Sequence, residues 1–288
     1  MTRGGRVGKD ARRDSTLKQP FLSVGAAGMV GLLLLASPAA AWGPIGERLV
    51  IIKAIDCLPK PINKFYKDHE LEMPSLTPEG NSGPRDPERR FEVDRLLPFP
   101  FIDLPRTEKG LQERFGEEAV RKVGRLPWLV QAAYARLLEA VKAKDKAQIL
   151  AASDTLAGLV ADLNNPLSLT ENSDGQKTGQ NGLFARISDR SLEAWQSRLK
   201  LNPEAAVFLD NPKEYVFSII NGTYVWLDNI VYQEELSRRG KAGYTEIYYD
   251  DLERRVGPII KERLSHAAAD TGSYWYSAWT QAGRPELK

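Results

Sequence analysis

Helical periodicity is the feature that most constrains the fold of this chain. Residues 127–145 and 146–163 carry apolar side chains every three to four positions, which is the spacing that gives an α-helix one apolar face. Residues 246–279 continue the same pattern near the C-terminus. No segment shows the strict alternation typical of a strand, and no internal repeat is present. The sequence therefore predicts a single all-α domain of about seven to nine helices.

The first 41 residues have the composition of an export signal. Six basic and two acidic residues precede an apolar run that starts at Phe21, and "SPAAAW" follows this run. Ala39 and Ala41 occupy the −3 and −1 positions of a leader-peptidase site. We expect cleavage after Ala41, which leaves a domain of residues 42–288 with Trp42 as its first residue. The alternative is an uncleaved membrane anchor over residues 21–41, a run long enough to span a bilayer.

Removal of the leader changes the charge of the protein and so the class of partner it suggests. The full chain has a net charge of +2, and residues 42–288 have a net charge of −2. The basic excess belongs to the leader, so nucleic acid is not an expected partner. We expect an exported protein, periplasmic or secreted, with membrane anchoring as the alternative. Cys57 is the sole cysteine, which excludes an intrachain disulfide, and its apolar surroundings predict a buried thiol.

Common catalytic arrangements are missing from the sequence. The chain has two histidines, His69 and His266, and no phosphate-binding loop, dinucleotide fingerprint or paired-cysteine motif. Ser265 and His266 are adjacent on a predicted helix, and adjacent helical residues do not face each other. They therefore do not form a nucleophile–base pair. Residues 161–188 are instead typical of a functional-site loop, because they form a polar segment rich in glycine and asparagine after a strongly predicted helix.

Several segments carry a resemblance to a known family. "WGPIGER" resembles an opening W-G-x-x-G-H, and "RRFEVD" resembles R-H-F-x-x-D. "LAGLVADLNNPLS" resembles L-A-H-x-x-x-D-x-x-x-P-L-H, and "DGQKTGQNGLFARIS" resembles D-G-Q-x-T-G-Q-x-G-x-H-A-R-x-E. "YWYSAWTQAGRPEL" is similar to the family's C-terminal segment. Over nearly all of residues 42–288, the chain resembles the bacterial zinc-dependent phospholipases C and the single-strand-specific zinc nucleases.

The resemblance implies an exported all-α fold and a set of zinc ligands, most of which this chain has replaced. In that family the N-terminal tryptophan binds zinc through its amino nitrogen and carbonyl oxygen. Of the implied ligands, this chain keeps only Trp42 and Asp162. The family's histidines, its second carboxylate and a further upstream aspartate, expected within residues 75–80, are absent. The residues that stand at the replaced positions are Glu47, Arg90, Gly158, Ser168, Phe184 and Ser188.

The replacements are unfavourable for a metal dication. Zinc in proteins takes histidine, cysteine or carboxylate ligands, and a catalytic zinc ion needs about three of them. Glycine and phenylalanine carry no ligand atom, and Arg90 brings a permanent positive charge. No cofactor is therefore expected. We expect Asp162 to be buried and Arg90 to pair with either Glu47 or Asp162, because a buried carboxylate needs a cationic partner.

Three functional interpretations remain open at this point. The first is a non-catalytic relative that binds an envelope protein or a lipid or other phosphate-containing ligand. The second is a metal-dependent phosphoesterase that hydrolyses phospholipid or nucleic-acid phosphodiesters, with Asp162 as its catalytic candidate. It would use zinc, or Ca²⁺ or Mg²⁺ on a rebuilt carboxylate site. The acids available to such a site are Glu47, Asp94, Asp162, Glu171 and Asp174.

The third interpretation is a structural subunit held at a membrane by an uncleaved segment 21–41. Its aromatic C-terminal residues would then meet a partner or the membrane interface. The competing interpretation of these aromatics is core packing, because Trp275 and Trp279 are four residues apart on a predicted helix and share a face.

Overall fold

The computed structural model describes residues 42–76 and 88–288, which all fall within one compact unit. The predicted leader or anchor lies outside the described residues. Within the described residues there is no strand, so the prediction of an all-α protein is confirmed. None of the helices in these two ranges combines the length and the apolarity needed to cross a bilayer. The α-helices are α1 (Gly43–Cys57), α2 (Ile62–Asp68), α3 (Glu108–Phe115), α4 (Glu117–Val123), α5 (Leu126–Ala143), α6 (Lys146–Leu163), α7 (Leu183–Ala185), α8 (Ser191–Trp195), α9 (Pro212–Tyr224), α10 (Leu227–Arg238) and α11 (Glu246–Gln281).

Helices α5 and α6 form where the sequence predicts them. Pro127 lies in the first turn of α5, where its missing N–H costs no hydrogen bond. Asp145 caps α6, because its carboxylate accepts a hydrogen bond from the backbone N–H of Gln148 at 3.1 Å. The two helices pack against each other as a hairpin. Nearly all of the last two turns of α6 is buried, and this is the part of the helix that carries the candidate site.

Two helical regions are broken where the sequence indicates continuous helix. Residues 108–123 form α3 and α4 rather than one helix, because Gly116 adopts φ +83° between them. This left-handed conformation ends a helix at little cost only when the residue lacks a Cβ atom. Residues 212–238 form α9 and α10, separated by a turn in which the N–H of Trp226 donates to the carbonyl of Thr223.

The long helix α11 joins two buried apolar clusters. The first cluster lies between α1, α5, α6, α9 and the C-terminal half of α11, where Tyr66 stacks on Trp275 with ring centroids 4.5 Å apart. Trp275 and Trp279 are both buried in this cluster, so the interpretation of the aromatic tail as core packing is confirmed. Cys57 is buried beside it, as predicted. The second cluster is built around Trp42, Trp195 and the first half of α11.

Candidate functional site around Arg89 and Asp162

The centre of the candidate site is an ion pair between Arg89 and Asp162. Asp162 lies in the last turn of α6 with its side chain 1% exposed, so the prediction that it is buried is confirmed. The Nε atom of Arg89 donates to Oδ2 of Asp162 at 2.7 Å, a short distance typical of a charge-assisted hydrogen bond. The Arg89 side chain is 22% exposed, so the pair is shielded from most of the solvent. A cation therefore offsets the cost of burying this carboxylate.

The prediction that Arg90 supplies this cation is wrong. The Nη1 atom of Arg90 lies 3.3 Å from Oε1 of Glu92, and its side chain is 43% exposed. Residues 89–92 are not helical, and successive side chains of such a segment point in different directions. A shift of one residue along the chain therefore moves the guanidinium out of the site. Neither of the partners expected for Arg90, Glu47 or Asp162, is the one it contacts here.

Gly158 leaves the space that the Arg89 side chain occupies. A Cβ atom built on Gly158 would lie 2.9 Å from Nη2 of Arg89 and 3.0 Å from Oε1 of Glu47. The first separation is shorter than real contacts of a Cβ atom and the second is tighter than most, so the two charged groups lie directly against the glycine backbone. Glu47 is buried on α1, opposite α6. The structure thus places Glu47 and Arg89 against Gly158, with Arg89 also paired to Asp162.

The two serines at positions where the resemblance implies zinc ligands are buried, and hydrogen bonds connect both to neighbouring segments. The carbonyl of Ser168 accepts a hydrogen bond at 2.9 Å from the N–H of Phe91, which ties the residue 168 region to the segment that carries Arg89. The Oγ atom of Ser188 accepts from Nδ2 of Asn165 at 3.0 Å. Asn165 also accepts from the N–H of Leu167 at 3.0 Å. Ser188 is therefore connected to the chain that leaves α6 just after Asp162.

Phe184 and Trp42 belong to the second apolar cluster. Trp42 is fully buried in that cluster, and the partly buried Phe184 packs against it. The backbone around Phe184 is fixed by Asp174, whose two carboxylate oxygens accept from the N–H groups of Gly182 at 2.9 Å and Phe184 at 3.2 Å. The position where the resemblance implies a histidine is thus occupied by an aromatic ring that contributes to packing.

A π turn places a carboxylate that the sequence analysis missed. Residues Arg186–Arg190 adopt π-helical geometry, which adds one residue to a turn and rotates the following side chains. Asp189 consequently lies against the start of α1, where a Cβ atom built on Gly43 would collide with its Oδ1 atom. Gly43 has φ +59°, a conformation that glycine adopts without strain. The sequence signal for this residue was an aspartate immediately after Ser188.

A buried ionic network fixes the glycine-rich loop. Arg186 and Glu234 form an ion pair with Nη2 and Oε1 2.9 Å apart, and both side chains are at least nine-tenths buried. The hydroxyl of Tyr248 donates to Glu234 at 2.8 Å, and burial raises the pKa of this tyrosine above its ordinary value. The side-chain amide of Gln180 donates to the backbone carbonyl of Val231 at 2.9 Å. The side chains of Arg186 and Gln180 therefore anchor the loop to α10, and Tyr248 of α11 joins the network through Glu234.

The acids of the alternative carboxylate site have other partners. Asp94 accepts from the hydroxyl of Thr170 at 2.6 Å and from the N–H of Glu171 at 2.9 Å. Glu171 itself pairs with Arg95 at 3.2 Å and with Lys177. Asp174 caps the start of α7, as described above. Among residues 42–76 and 88–288, no three or more histidine, cysteine, aspartate or glutamate side chains are grouped so that they hold a metal ion.

No family model matches the sequence, and no curated protein is significantly similar to it. The support for the family resemblance is accordingly the set of motifs quoted in the sequence analysis.

Proposed function

We propose that this chain is a non-catalytic, metal-free relative of the zinc-dependent phospholipases C and zinc nucleases, and that it acts as a binding or scaffold protein in the bacterial envelope. The observation that supports this proposal is the Arg89–Asp162 pair beside Gly158. A guanidinium cannot lose its proton at any pH that proteins tolerate, so its charge repels a dication at the same carboxylate. Arg89 thus performs the charge compensation that a metal ion would otherwise provide.

The donor set of the site does not fit a catalytic zinc ion. Gly158 and Phe184 have no ligand atoms, and the hydroxyls of Ser168 and Ser188 are neutral and buried. The remaining carboxylates, Glu47 and Asp162, lie against the Arg89 guanidinium or the glycine next to it. A catalytic zinc needs about three protein ligands and an open position for water. No hydrolytic step is therefore assigned to this site.

The same features favour a binding role for the scaffold. The positions of the implied ligands carry side chains that pack, pair or form hydrogen bonds, as Phe184, Asp162 and Ser188 do. We propose that the partner is an envelope protein or a ligand with a lipid or phosphate group. No contact among the described residues favours the phosphoesterase alternative.

Metal analysis combined with an activity assay tests this proposal. The purified protein is incubated with zinc, dialysed and analysed for metal, and its melting temperature is measured with and without zinc. Hydrolysis of p-nitrophenylphosphorylcholine and of single-stranded DNA is assayed in the same buffers. We expect far less than one zinc per chain, no zinc-dependent rise in melting temperature and no hydrolysis. Stoichiometric zinc together with hydrolysis that disappears in Asp162→Asn would overturn the proposal.

A further inference from the structure

The start of α1 coincides with the predicted leader cleavage point. The A-x-A pattern ends at Ala41, and α1 begins at Gly43. Trp42 between them is fully buried, and its carbonyl accepts a hydrogen bond from the N–H of Gly46 at 3.1 Å. The residue that cleavage would expose as the chain terminus is therefore an integral part of the second apolar cluster.

Asp189 provides a negative charge at this place. Its Oδ1 atom lies so close to Gly43 that any side chain there would collide with it. The π turn Arg186–Arg190 brings Asp189 to this position. Asp189 is thus the carboxylate that contacts the backbone one residue after the predicted scissile bond.

We infer that leader removal after Ala41 creates an α-ammonium group at Trp42 that pairs with the Asp189 carboxylate. This inference rests on the export part of the proposed function and is independent of whether the site binds metal. In the cleavage step, a host leader peptidase uses one water molecule to hydrolyse the Ala41–Trp42 amide. The carbonyl carbon of Ala41 takes the hydroxyl, and the proton lost by the new carboxyl group is balanced by protonation of the Trp42 amine.

Electrostatics explains why cleavage and Asp189 belong together. Before cleavage, the nitrogen of Trp42 is a neutral amide with one N–H donor; afterwards it carries a full positive charge and three donors. A positive charge at a helix N-terminus is unfavourable by itself, because the macrodipole of α1 already places partial positive charge there. A carboxylate against Gly43 offsets both contributions. Burial of Trp42 limits the screening of this interaction by water.

N-terminal sequencing of the full chain tests the cleavage. The chain is produced with its own residues 1–41 in an exporting bacterial host, and the purified protein is analysed by Edman degradation and intact mass. We expect Trp42 as the first residue. A chain that begins at Met1, or at any residue other than Trp42, would overturn the inference while leaving the metal-free proposal standing.

A double-mutant cycle tests the ion pair. One change inserts a serine between Ala41 and Trp42, which preserves the A-x-A site and moves the new ammonium one residue away. The other change is Asp189→Asn, with Asp189→Glu as a second variant that keeps the charge if the asparagine variant does not fold. We expect the insertion to lower the melting temperature by several degrees in the parent protein and by much less in Asp189→Asn.

The cycle also separates the ion pair from a simpler role of Asp189. If Asp189 only caps α1, the insertion has the same effect with aspartate or asparagine, and this additive result would refute the pairing. The conservative variant Asp189→Glu should retain most of the sensitivity to the insertion. Asp103→Asn, a neutralised aspartate on an exposed loop, serves as the matched control and should leave the effect of the insertion unchanged.

Discussion

Replacement of Arg89 by alanine is the most informative perturbation of the site. The substitution removes the guanidinium that lies 2.7 Å from the Asp162 carboxylate, a side chain that is 1% exposed in the parent protein. Breaking a buried ion pair by removing one partner costs about 3–5 kcal/mol. Because Arg89 is 22% exposed, solvent screens part of the interaction, and we expect Arg89→Ala to lower the free energy of unfolding by about 2–4 kcal/mol.

The neighbouring residue supplies a matched control. Arg90→Ala removes an equal side chain whose partner is Glu92 and whose exposure is 43%, so it should cost less than about 1 kcal/mol. Urea denaturation followed by tryptophan fluorescence measures both variants. The midpoint of Arg89→Ala should fall by about 1 M relative to the control. Equal effects of the two substitutions, or a larger effect of Arg90→Ala, would refute the assignment of Arg89 as the partner of Asp162.

A second substitution separates the pair from general packing. Asp162→Asn removes the charge that Arg89 compensates, so Arg89→Ala should cost less in the asparagine background than in the parent protein. We expect a coupling free energy of about 1–3 kcal/mol between the two positions. Additive effects would mean that the arginine contributes through its alkyl chain rather than its charge.

Three further outcomes follow from the structure. Gly158→Ala should be less favourable in the parent protein than in the Arg89→Ala variant, because the new methyl group would lie 2.9 Å from Nη2 of Arg89 in the parent. In the variant, only the 3.0 Å approach to Oε1 of Glu47 opposes the gain of about 1 kcal/mol in helix propensity, and urea midpoints in both backgrounds check this. Burial raises the pKa of Cys57 to about 11, so a thiol reagent at pH 8 should modify it slowly in the native protein and rapidly in denaturant. Burial also raises the pKa of Asp270, so the folded protein retains a proton that the unfolded chain releases. The resulting destabilisation is absent below the unfolded pKa of about 4 and grows as pH rises above it. Urea titrations should therefore show that Asp270→Asn becomes more stable relative to the parent protein as pH rises above about 4. A stability difference that does not change with pH would contradict this.

The helices were predictable where one local signal defined each end. Helix α6 has an aspartate cap at its start and an unbroken apolar face, and its observed bounds match the periodic segment. The division between α3 and α4 depends on Gly116 adopting a left-handed conformation, and a glycine in a helical pattern does not by itself predict that choice. The turn between α9 and α10 has neither glycine nor proline at Val225 and Trp226, so the periodic pattern conceals it.

The relative positions of the site's side chains could be predicted where the residues lie on regular helices, but not where they lie in irregular segments. Gly158 and Asp162 share a face because they lie one turn apart on α6, and Glu47 meets them from α1. Arg90 instead of Arg89 was predicted to pair with Asp162, because a non-helical segment has no period from which to infer the direction of its side chains. Asp189 was missed because the π turn changes the spacing, and sequence spacing alone assumes a regular α-helix.

The central claim is that a guanidinium, rather than a metal ion, compensates the charge of Asp162. The most direct test is anomalous diffraction at the zinc absorption edge from crystals of the protein grown with zinc. The account predicts no anomalous peak within coordination distance of the Asp162 carboxylate and an Arg89 guanidinium bonded to it. A zinc peak on Asp162, with Arg89 displaced from the carboxylate, would contradict the account.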